Sequence, residues 1–488
     1  MKDKKTIKAA VQIACVILVC FTLIFLFFFQ PYTGKWNKVK RMVAEADTYE
    51  EEKIGGTLNF QCYTNGDVVY NAWLTVVNAF EKASGVKVNL MAGTEVNTKK
   101  QTDWQNGNPP DIVSNTGTGF SGFMQIESKS LADLSDFYET ARVWGSETLV
   151  KDRMNAGKGG DEYKKYFEYF GDEVYLAPYM TATYGMYYNG KLFEDNGLTF
   201  PENYEDLKSV SQTALSSLGK AFVSFPGTSA AYLTWGFVVP AVYAQAKEDG
   251  NETYFDDFTA GKAYAYDIND ENERSKPLRK VLERYYEYTH ERGGRYMADC
   301  LGKNHTTVQS ELYTNVNLSL ANGQWLYSEL YNTLKDDDTG FNLKFGSSPL
   351  VTSKQSKTAV LLPITLAIAK QAKNKPQAEA FLRFIYRTDV QHVLTAAYGY
   401  RSIYEDFDYS KDGDDYSYSA KQIYAELENC ELVPVKYSWG SLGEMLNAQL
   451  VALCPKASAP GTVASAMSQL KAEAVKFTKQ VESMGRTI

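Results

Sequence analysis

The feature that most restricts the fold is a strand–helix–strand succession that follows Gly55-Gly56. Residues 57–63 (TLNFQCY) alternate apolar and polar side chains, as a half-buried strand does. Residues 71–83 carry apolar side chains at helical spacing, Ser84-Gly85 ends that helix, and residues 86–90 (VKVNL) alternate again. Two strands joined by a helix through short connections form a βαβ unit, whose strands are parallel and covered by helices. The sequence therefore predicts an α/β fold.

A second segment also has the pattern of a strand that leads through a loop into a helix. Residues 108–113 (NPPDIV) lead into a loop of small residues, 114–120 (SNTGTGF), and we expect a helix after it. Loops at the carboxyl ends of parallel strands are where α/β proteins usually bind their ligands. This loop is therefore a candidate part of a binding site.

Composition narrows the class of function. The chain has 488 residues, which favours two folded lobes. A formal net charge of -8 argues against nucleic acid as a partner, because binding to a duplex depends on clustered Lys and Arg. Only 3 residues are His, which argues against His-dependent catalysis or metal binding, whereas the 35 Tyr suit polar ligands with apolar faces.

The N-terminal residues predict a membrane anchor. Lys2, Lys4, Lys5 and Lys8 precede an uncharged apolar run at 9–29, which is long enough to span a bilayer as a helix. No small-residue cleavage site precedes Gln30-Pro31, so we expect an uncleaved signal anchor. Lipidation at Cys20 and a buried globular helix are the alternatives. The charged stretch at 35–53 is expected to be a solvated spacer.

Cysteine and acidic residues suggest no metal site. Cys62, Cys300, Cys430 and Cys454 lack metal-ligand spacing, and a single Cys430–Cys454 disulfide remains open. The acidic segment 248–276 includes Asp267, Asn269 and Glu271 at the spacing of a calcium loop, but the Gly of such a loop is missing. We expect a solvated insertion or a helix start at Asp270, with no metal and no cofactor.

Several motifs together resemble a known family. They lie at 58–67 (LNFQCYTNGD), 79–88 (AFEKASGVKV), 108–113 (NPPDIV), 175–198 (YLAPYMTATYGMYYNGKLFEDNGL), 201–207 (PENYEDL), 318–327 (LSLANGQWLY), 358–385 (TAVLLPITLAIAKQAKNKPQAEAFLRFI) and 437–446 (YSWGSLGEML). In this order the chain resembles the extracellular solute-binding proteins (family 1) of carbohydrate ABC importers, the family typified by maltose-binding protein. The APYM…YGMYYN…LFEDNGL and ANGQW blocks are the most specific.

The resemblance implies a two-lobe periplasmic-binding-protein-like fold (type II) with hinge strands, preceded here by the transmembrane helix. The implied organisation is a cytoplasmic stub and anchor at 1–30, a spacer at 31–55, lobe 1 at 56–181 and 363–416, and lobe 2 at 182–362 and 417–488. The chain should cross between lobes near Met180–Tyr184 and again near Val360–Thr365. Closure over a ligand would be a hinge motion.

The resemblance also implies a site for a sugar. The candidate ligand-binding residues are Tyr63, Asn65, Asp67, Thr118, Phe120, Tyr184, Tyr232, Trp325 and Trp439. Trp325 and Trp439 match platform tryptophans of the family, and Tyr232 matches a stacking tyrosine. Asn65 and Asp67 match sugar contacts, although Asn-Gly-Asp is also a good turn in which Asp67 could cap the next helix. We interpret the neighbouring Trp235 as part of the apolar core.

Several positions depart from the family pattern. The cleft carboxylate of the family corresponds to Thr118, its Arg neighbour to Gly119, a platform Trp to Asn115 and the hinge-side Glu to Ala182. Maltose itself is therefore a doubtful ligand, while the sugar class stands.

The implied function is capture of a sugar or oligosaccharide outside the membrane, for permease subunits of an ABC importer. The alternatives are a non-sugar solute, a membrane sensor kinase as partner, or a glycoside hydrolase, which would need two suitably spaced carboxylates. No Gly-x-Ser-x-Gly, His-Glu-x-x-His or P-loop motif is present, so an enzyme is not expected.

Overall fold

The structure is a computed structural model. It describes residues 53–64, 66–114, 130–155, 174–326, 329–330, 333, 339–353, 357–409, 426–427, 430–434 and 440–483. The predicted anchor at 1–30 and most of the predicted spacer lie outside these residues. Within them, no helix combines the length and the apolar character that crossing a membrane requires.

The strands and helices alternate along most of the chain. The strands are β1 (Thr57–Tyr63), β2 (Lys87–Gly93), β3 (Ile112–Ser114), β4 (Ala177–Asn189), β5 (Val223–Ser224), β6 (Ser319–Gly323), β7 (Leu343–Gly346), β8 (Thr358–Ile368), β9 (Arg401–Ser402) and β10 (Glu431–Pro434). The helices are α1 (Asp67–Ser84), α2 (Val96–Gln105), α3 (Ser135–Thr140), α4 (Val150–Met154), α5 (Gly190–Asp195), α6 (Tyr204–Thr213), α7 (Ala231–Leu233), α8 (Val239–Glu248), α9 (Tyr254–Ala260), α10 (Lys276–His290), α11 (His305–Tyr313), α12 (Lys375–Ile385), α13 (Thr388–Tyr398), α14 (Gly440–Ala452) and α15 (Val463–Ser483).

The predicted βαβ unit is confirmed. Strands β1 and β2 pair in parallel, from Thr57 opposite Lys87 to Tyr63 opposite Gly93. Helix α1 ends where Gly85 adopts a left-handed conformation (φ 73°), which Gly reaches without steric cost. The interpretation of Asp67 as the cap is wrong. Gly66 occupies the N-cap position, and Asp67 is the first helical residue, where its charge favours the helix dipole.

One mixed sheet runs through the described part of the chain. Its strand order is β2-β1-β3-β8-β4-β6-β5, with β10 paired to β8 and β7 and β9 paired to β4. The two longest strands, β4 and β8, are antiparallel neighbours, with Met180 opposite Ile364 and Tyr184 opposite Val360. The centre of the sheet is therefore formed by the two segments that, by the family resemblance, should pass between the lobes.

Two apolar cores flank this crossing. The first core draws on residues 58–182 and 364–407, and the second on residues 186–360 and 427–474. Along β4, Ala182 belongs to the first core and Met186 to the second; along β8, Val360 belongs to the second core and Ile364 to the first. Each strand thus passes from one core to the other within about four residues. The domain boundaries themselves stay predictions.

A buried aspartate joins strand β1 to the N-terminal end of helix α12. Asp111, of the Asn108–Val113 motif, is 2% exposed, and its carboxylate accepts bonds from the backbone N–H groups of Asn59 (2.8 Å), Lys373 (2.9 Å) and Asn374 (3.0 Å). The side-chain amides of Asn59 and Asn374 donate to it as well, each at 3.0 Å. Buried backbone donors need an acceptor, so this carboxylate has a structural role.

The Cys430–Cys454 disulfide, which the sequence left undecided, is not formed in the structure. Cys430 and Cys454 are both free thiols, as are Cys62 and Cys300. The Cys454 thiol instead lies 3.1 Å from the Tyr285 hydroxyl, and Cys430 contacts the carbonyl of Glu426. Spacing in the sequence did not settle this question, because a bridge requires two Cβ atoms that face each other.

The interpretation of the acidic segment is also wrong. Helix α9 buries Tyr254, Phe255 and Phe258 in the second core, so the segment is not a solvated insertion. Helix α10 begins at Lys276, not at Asp270, which forms an ion pair with Arg274 at 2.5 Å. The carboxylate of Asp267 pairs with Lys471 of α15 at 2.6 Å. Among the residues that the structure describes, no group of three or more His, Cys, Asp or Glu side chains could hold a metal ion.

Candidate functional site

Three of the predicted ligand-binding residues lie together beside the paired strands β4 and β8, at the point where these strands pass from one core to the other. The rings of Tyr184 and Trp325 are 4.9 Å apart and perpendicular (89°), those of Tyr232 and Trp325 are 5.8 Å apart, and those of Tyr184 and Tyr232 are 6.3 Å apart. All three side chains are half-buried. We call Tyr184, Tyr232 and Trp325 the aromatic cluster.

A glycine next to β4 allows this arrangement. Gly323, the last residue of β6, pairs directly with Tyr184 of β4. The Trp325 indole lies against Gly323 so closely that a Cβ added there would be 2.1 Å from Cη2 of the ring. Because Gly323 has no side chain, the indole can fold back over the strand and meet the Tyr184 ring edge to face, an orientation that aromatic pairs prefer.

Two further aromatic residues extend the cluster. Tyr400 lies 6.3 Å from Trp325 and stacks on Tyr398 at 5.0 Å. Trp235 lies 6.4 Å from Tyr184. The interpretation of Trp235 as a core residue is right only in part, since it is half-buried and packs against the second core while also facing Tyr184. Sequence reasoning missed Tyr400, because it is brought to the cluster by the pairing of β9 with β4.

A carboxylate lies one helical turn beyond Trp325. The backbone N–H of Glu329 donates to the Trp325 carbonyl at 3.0 Å, and its carboxylate accepts a bond from Gln309 at 2.5 Å. Burial first, and the Glu329 charge second, raise the pKa of Tyr63 and of Tyr232. Burial, with smaller contributions that include Glu329, also raises the pKa of Tyr400. These hydroxyls therefore stay protonated at neutral pH and can donate hydrogen bonds.

Tyr63 reaches the same region from the first βαβ unit. It ends β1, is half-buried, and its backbone N–H donates to the Ser114 hydroxyl at 2.9 Å. The Tyr63 side chain also contributes electrostatically to the raised pKa of Tyr232. Tyr63, on a strand of the first core, thus interacts electrostatically with Tyr232, whose helix α7 contributes Leu233 to the second core.

Of the other predicted positions, the structure describes only Asp67. Asp67 is exposed at the start of α1. Asn65, Thr118, Phe120 and Trp439 lie outside the described residues. Ala182, at the position of the family's hinge-side Glu, is fully buried in the first core, so that strand position supplies no charge to a ligand.

The described residues at this site offer flat apolar faces, protonated hydroxyls and one carboxylate. Such a set suits a neutral, polar ligand that also has an apolar face.

Comparison with known proteins identifies the class. A family model described as bacterial extracellular solute-binding protein matches residues 75–418, and the chain belongs to that family. Among characterised proteins it is similar to the diacetylchitobiose-binding protein NgcE of Streptomyces coelicolor, with 28% identity over 134 residues. That match spans 27% of this chain and 26% of NgcE.

Solved structures share the fold at low sequence identity. The apo form of RafE from Streptococcus pneumoniae aligns with a TM-score of 0.60 and 18% identity, over 88% of this chain and 100% of RafE. A chitin oligosaccharide-binding protein aligns with a TM-score of 0.64 and 14% identity, over 86% of this chain and 98% of the other. The mixed α/β fold is therefore that of the two-lobe sugar-binding proteins.

Proposed function

We propose that this chain is the extracytoplasmic substrate-binding component of an ABC importer and that it captures a sugar or oligosaccharide at the aromatic cluster. The observation that carries the proposal is the half-buried trio Tyr184, Tyr232 and Trp325 beside the strands that cross between the two cores. Membership of the solute-binding family supports a binding role without catalysis.

The chemistry of a pyranose fits these residues. Its C–H face packs on an aromatic ring, and the Trp325 indole is the largest such surface in the cluster. Its hydroxyls need donors and acceptors, which the Tyr63 and Tyr232 hydroxyls and the Glu329 carboxylate supply. An uncharged ligand also avoids placing a net charge among half-buried rings, which would be costly.

Relatives support the sugar class. NgcE is a diacetylchitobiose-binding protein, and structures with this fold include RafE in complex with raffinose and a chitin oligosaccharide-binding protein. The ligand would sit between the two cores and be enclosed by rotation about β4 and β8, with permease subunits as the partner that receives it.

The screen that tests the proposal measures thermal unfolding of the chain from residue 53 onward against mono-, di- and oligosaccharides, polyamines and short peptides. A sugar at about 100 times its Kd should add about 2.7 kcal/mol of stability and raise Tm by about 5 °C or more. A response confined to polyamines or peptides would contradict the sugar assignment. No change in Tm with any of these compounds would contradict binding at this site.

We also propose that the apolar run at 9–29 anchors the protein in the membrane, uncleaved, with the folded part outside. Mass spectrometry of the membrane-extracted protein should then recover peptides that precede residue 30. A mature chain that begins at Cys20 with a diacylglyceryl mass would show a lipoprotein instead.

A further inference from the structure

A separate cavity of about 250 Å³ lies against the crossing strands. Its walls include Pro178 and Thr181 of β4, Leu361 and Pro363 of β8, Arg401 of β9 and Leu432 of β10. We call this cavity the rear pocket. None of the three cluster residues lines it.

Strand geometry places the rear pocket away from the aromatic cluster. Thr181 pairs directly with Pro363, and Tyr184 pairs with Val360. Side chains alternate between the two faces of a strand, so Thr181 and Tyr184, three residues apart, point to opposite faces. The rear pocket therefore lies on the sheet face opposite the aromatic cluster, where an occupant would contact both crossing strands.

A threonine of β4 lies in the pocket wall. Thr181 is 6% exposed, and its side chain carries a hydroxyl. A hydroxyl in a pocket wall can donate a hydrogen bond to a water or a ligand and accept one from it. Thr181 lines the rear pocket, which gives its hydroxyl a place to bind such a molecule.

A guanidinium lies beside this hydroxyl. Arg401 pairs with Thr181 through the backbone of β9 and β4, and its side chain is half-buried in the pocket wall. Within the described part of the chain it forms no ion pair and no side-chain hydrogen bond. The adjacent Ser402 is 7% exposed, and its hydroxyl accepts a bond from the Tyr404 N–H at 3.1 Å.

The remaining walls are mostly apolar. Leu361, Pro363 and Leu432 present hydrocarbon to the same space. Glu405, an exposed residue, also lines the pocket, and its negative charge repels a dianion more strongly than a monoanion. A volume of about 250 Å³ limits the occupant to a small molecule.

We propose that the rear pocket binds a small organic monocarboxylate. The Arg401 guanidinium would hold the carboxylate with two parallel N–H bonds, a geometry that guanidinium and carboxylate share. The Thr181 hydroxyl would donate a further bond, and a short alkyl chain would pack on Leu361, Pro363 and Leu432. This site is independent of the sugar that the aromatic cluster is proposed to bind.

The probe for this site is butyrate, titrated into the full chain by calorimetry in a detergent that contains no sugar. We expect saturable binding with one site per chain. Arg401→Gln should weaken it at least about tenfold, because the bidentate pair is lost. Thr181→Val, which keeps the shape of the side chain, should weaken it by a smaller factor. The matched control is Arg142→Gln, which removes an exposed guanidinium that pairs with Glu147.

Three results would overturn the proposal. These are no saturable heat with butyrate, equal affinity in Arg401→Gln and wild type, and inorganic phosphate that binds as tightly as butyrate. Should Arg401→Gln fail to fold, Thr181→Val decides, since an unchanged butyrate affinity in that variant would also exclude the site.

Discussion

Trp325→Ala is expected to weaken sugar binding by about 10- to 100-fold while the protein stays folded. An aromatic platform removed from a central, half-buried position in a binding site typically costs about 1.5–3 kcal/mol. Trp325 has the ring contacts of such a position, at 4.9 Å from Tyr184 and 5.8 Å from Tyr232. The measurement is a calorimetric titration with the sugar that gives the largest thermal shift.

Two further variants separate loss of the ring from a general loss of packing. Trp104→Ala removes a half-buried tryptophan of α2 that packs on Val113, Leu131 and Tyr175, and it should leave the affinity close to wild type. Trp325→Phe should retain part of the binding, because it keeps an aromatic face.

Gly323→Ala tests the position of the ring and not its presence. The new Cβ would lie 2.1 Å from the Trp325 indole as it now sits, so the ring must move and the affinity should fall. If folded Trp325→Ala bound sugar as tightly as wild type, the aromatic cluster would not be the site.

Asp111→Ala should lower the free energy of unfolding by about 3–6 kcal/mol. The substitution leaves the backbone N–H groups of Asn59, Lys373 and Asn374 without their acceptor, and each such loss costs about 1–3 kcal/mol. At about 2–4 °C per kcal/mol for units of this size, Tm should drop by at least about 6 °C. Thermal unfolding followed by circular dichroism measures the change.

The matched control is Asp195→Ala. Asp195 pairs with Lys191 on the surface of α5, where both side chains are about half exposed, so its removal should leave Tm close to wild type. The Tm of Asp111→Asn should lie between those of Asp111→Ala and wild type. The amide keeps one acceptor oxygen, but its NH₂ group faces backbone and side-chain N–H donors that it cannot bond. A Tm within about 2 °C of wild type for Asp111→Ala would contradict the structural role of this carboxylate.

The spacing of apolar residues along the chain predicted those strands and helices that form between segments close in sequence. The alternation in residues 57–63 and the helical spacing that follows predicted a parallel pair, and β1 and β2 form it. The strands at Met180–Tyr184 and Val360–Thr365 came from the resemblance, and the structure pairs them along the centre of the sheet. Tyr184, Tyr232 and Trp325, named from the same resemblance, lie within ring contact of one another.

The parts that sequence reasoning missed depend on contacts distant in the chain. Tyr400 joins the aromatic cluster because β9 pairs with β4, which lies more than 200 residues earlier. The free thiols of Cys430 and Cys454 follow from their different neighbours in space, which spacing does not reveal. The acidic segment was predicted to be solvated because that prediction rested on its charges. Its place in the second core is determined instead by Tyr254, Phe255 and Phe258.

The most direct test of the central claim is a crystal structure of the protein with the sugar that gives the largest thermal shift. We expect a pyranose ring with its C–H face against the Trp325 indole, at a carbon–carbon distance of about 3.5–4.0 Å. We also expect hydroxyls within hydrogen-bond reach of Tyr63, Tyr232 or Glu329. A sugar bound elsewhere, with Tyr184, Tyr232 and Trp325 in contact only with one another, would contradict that claim.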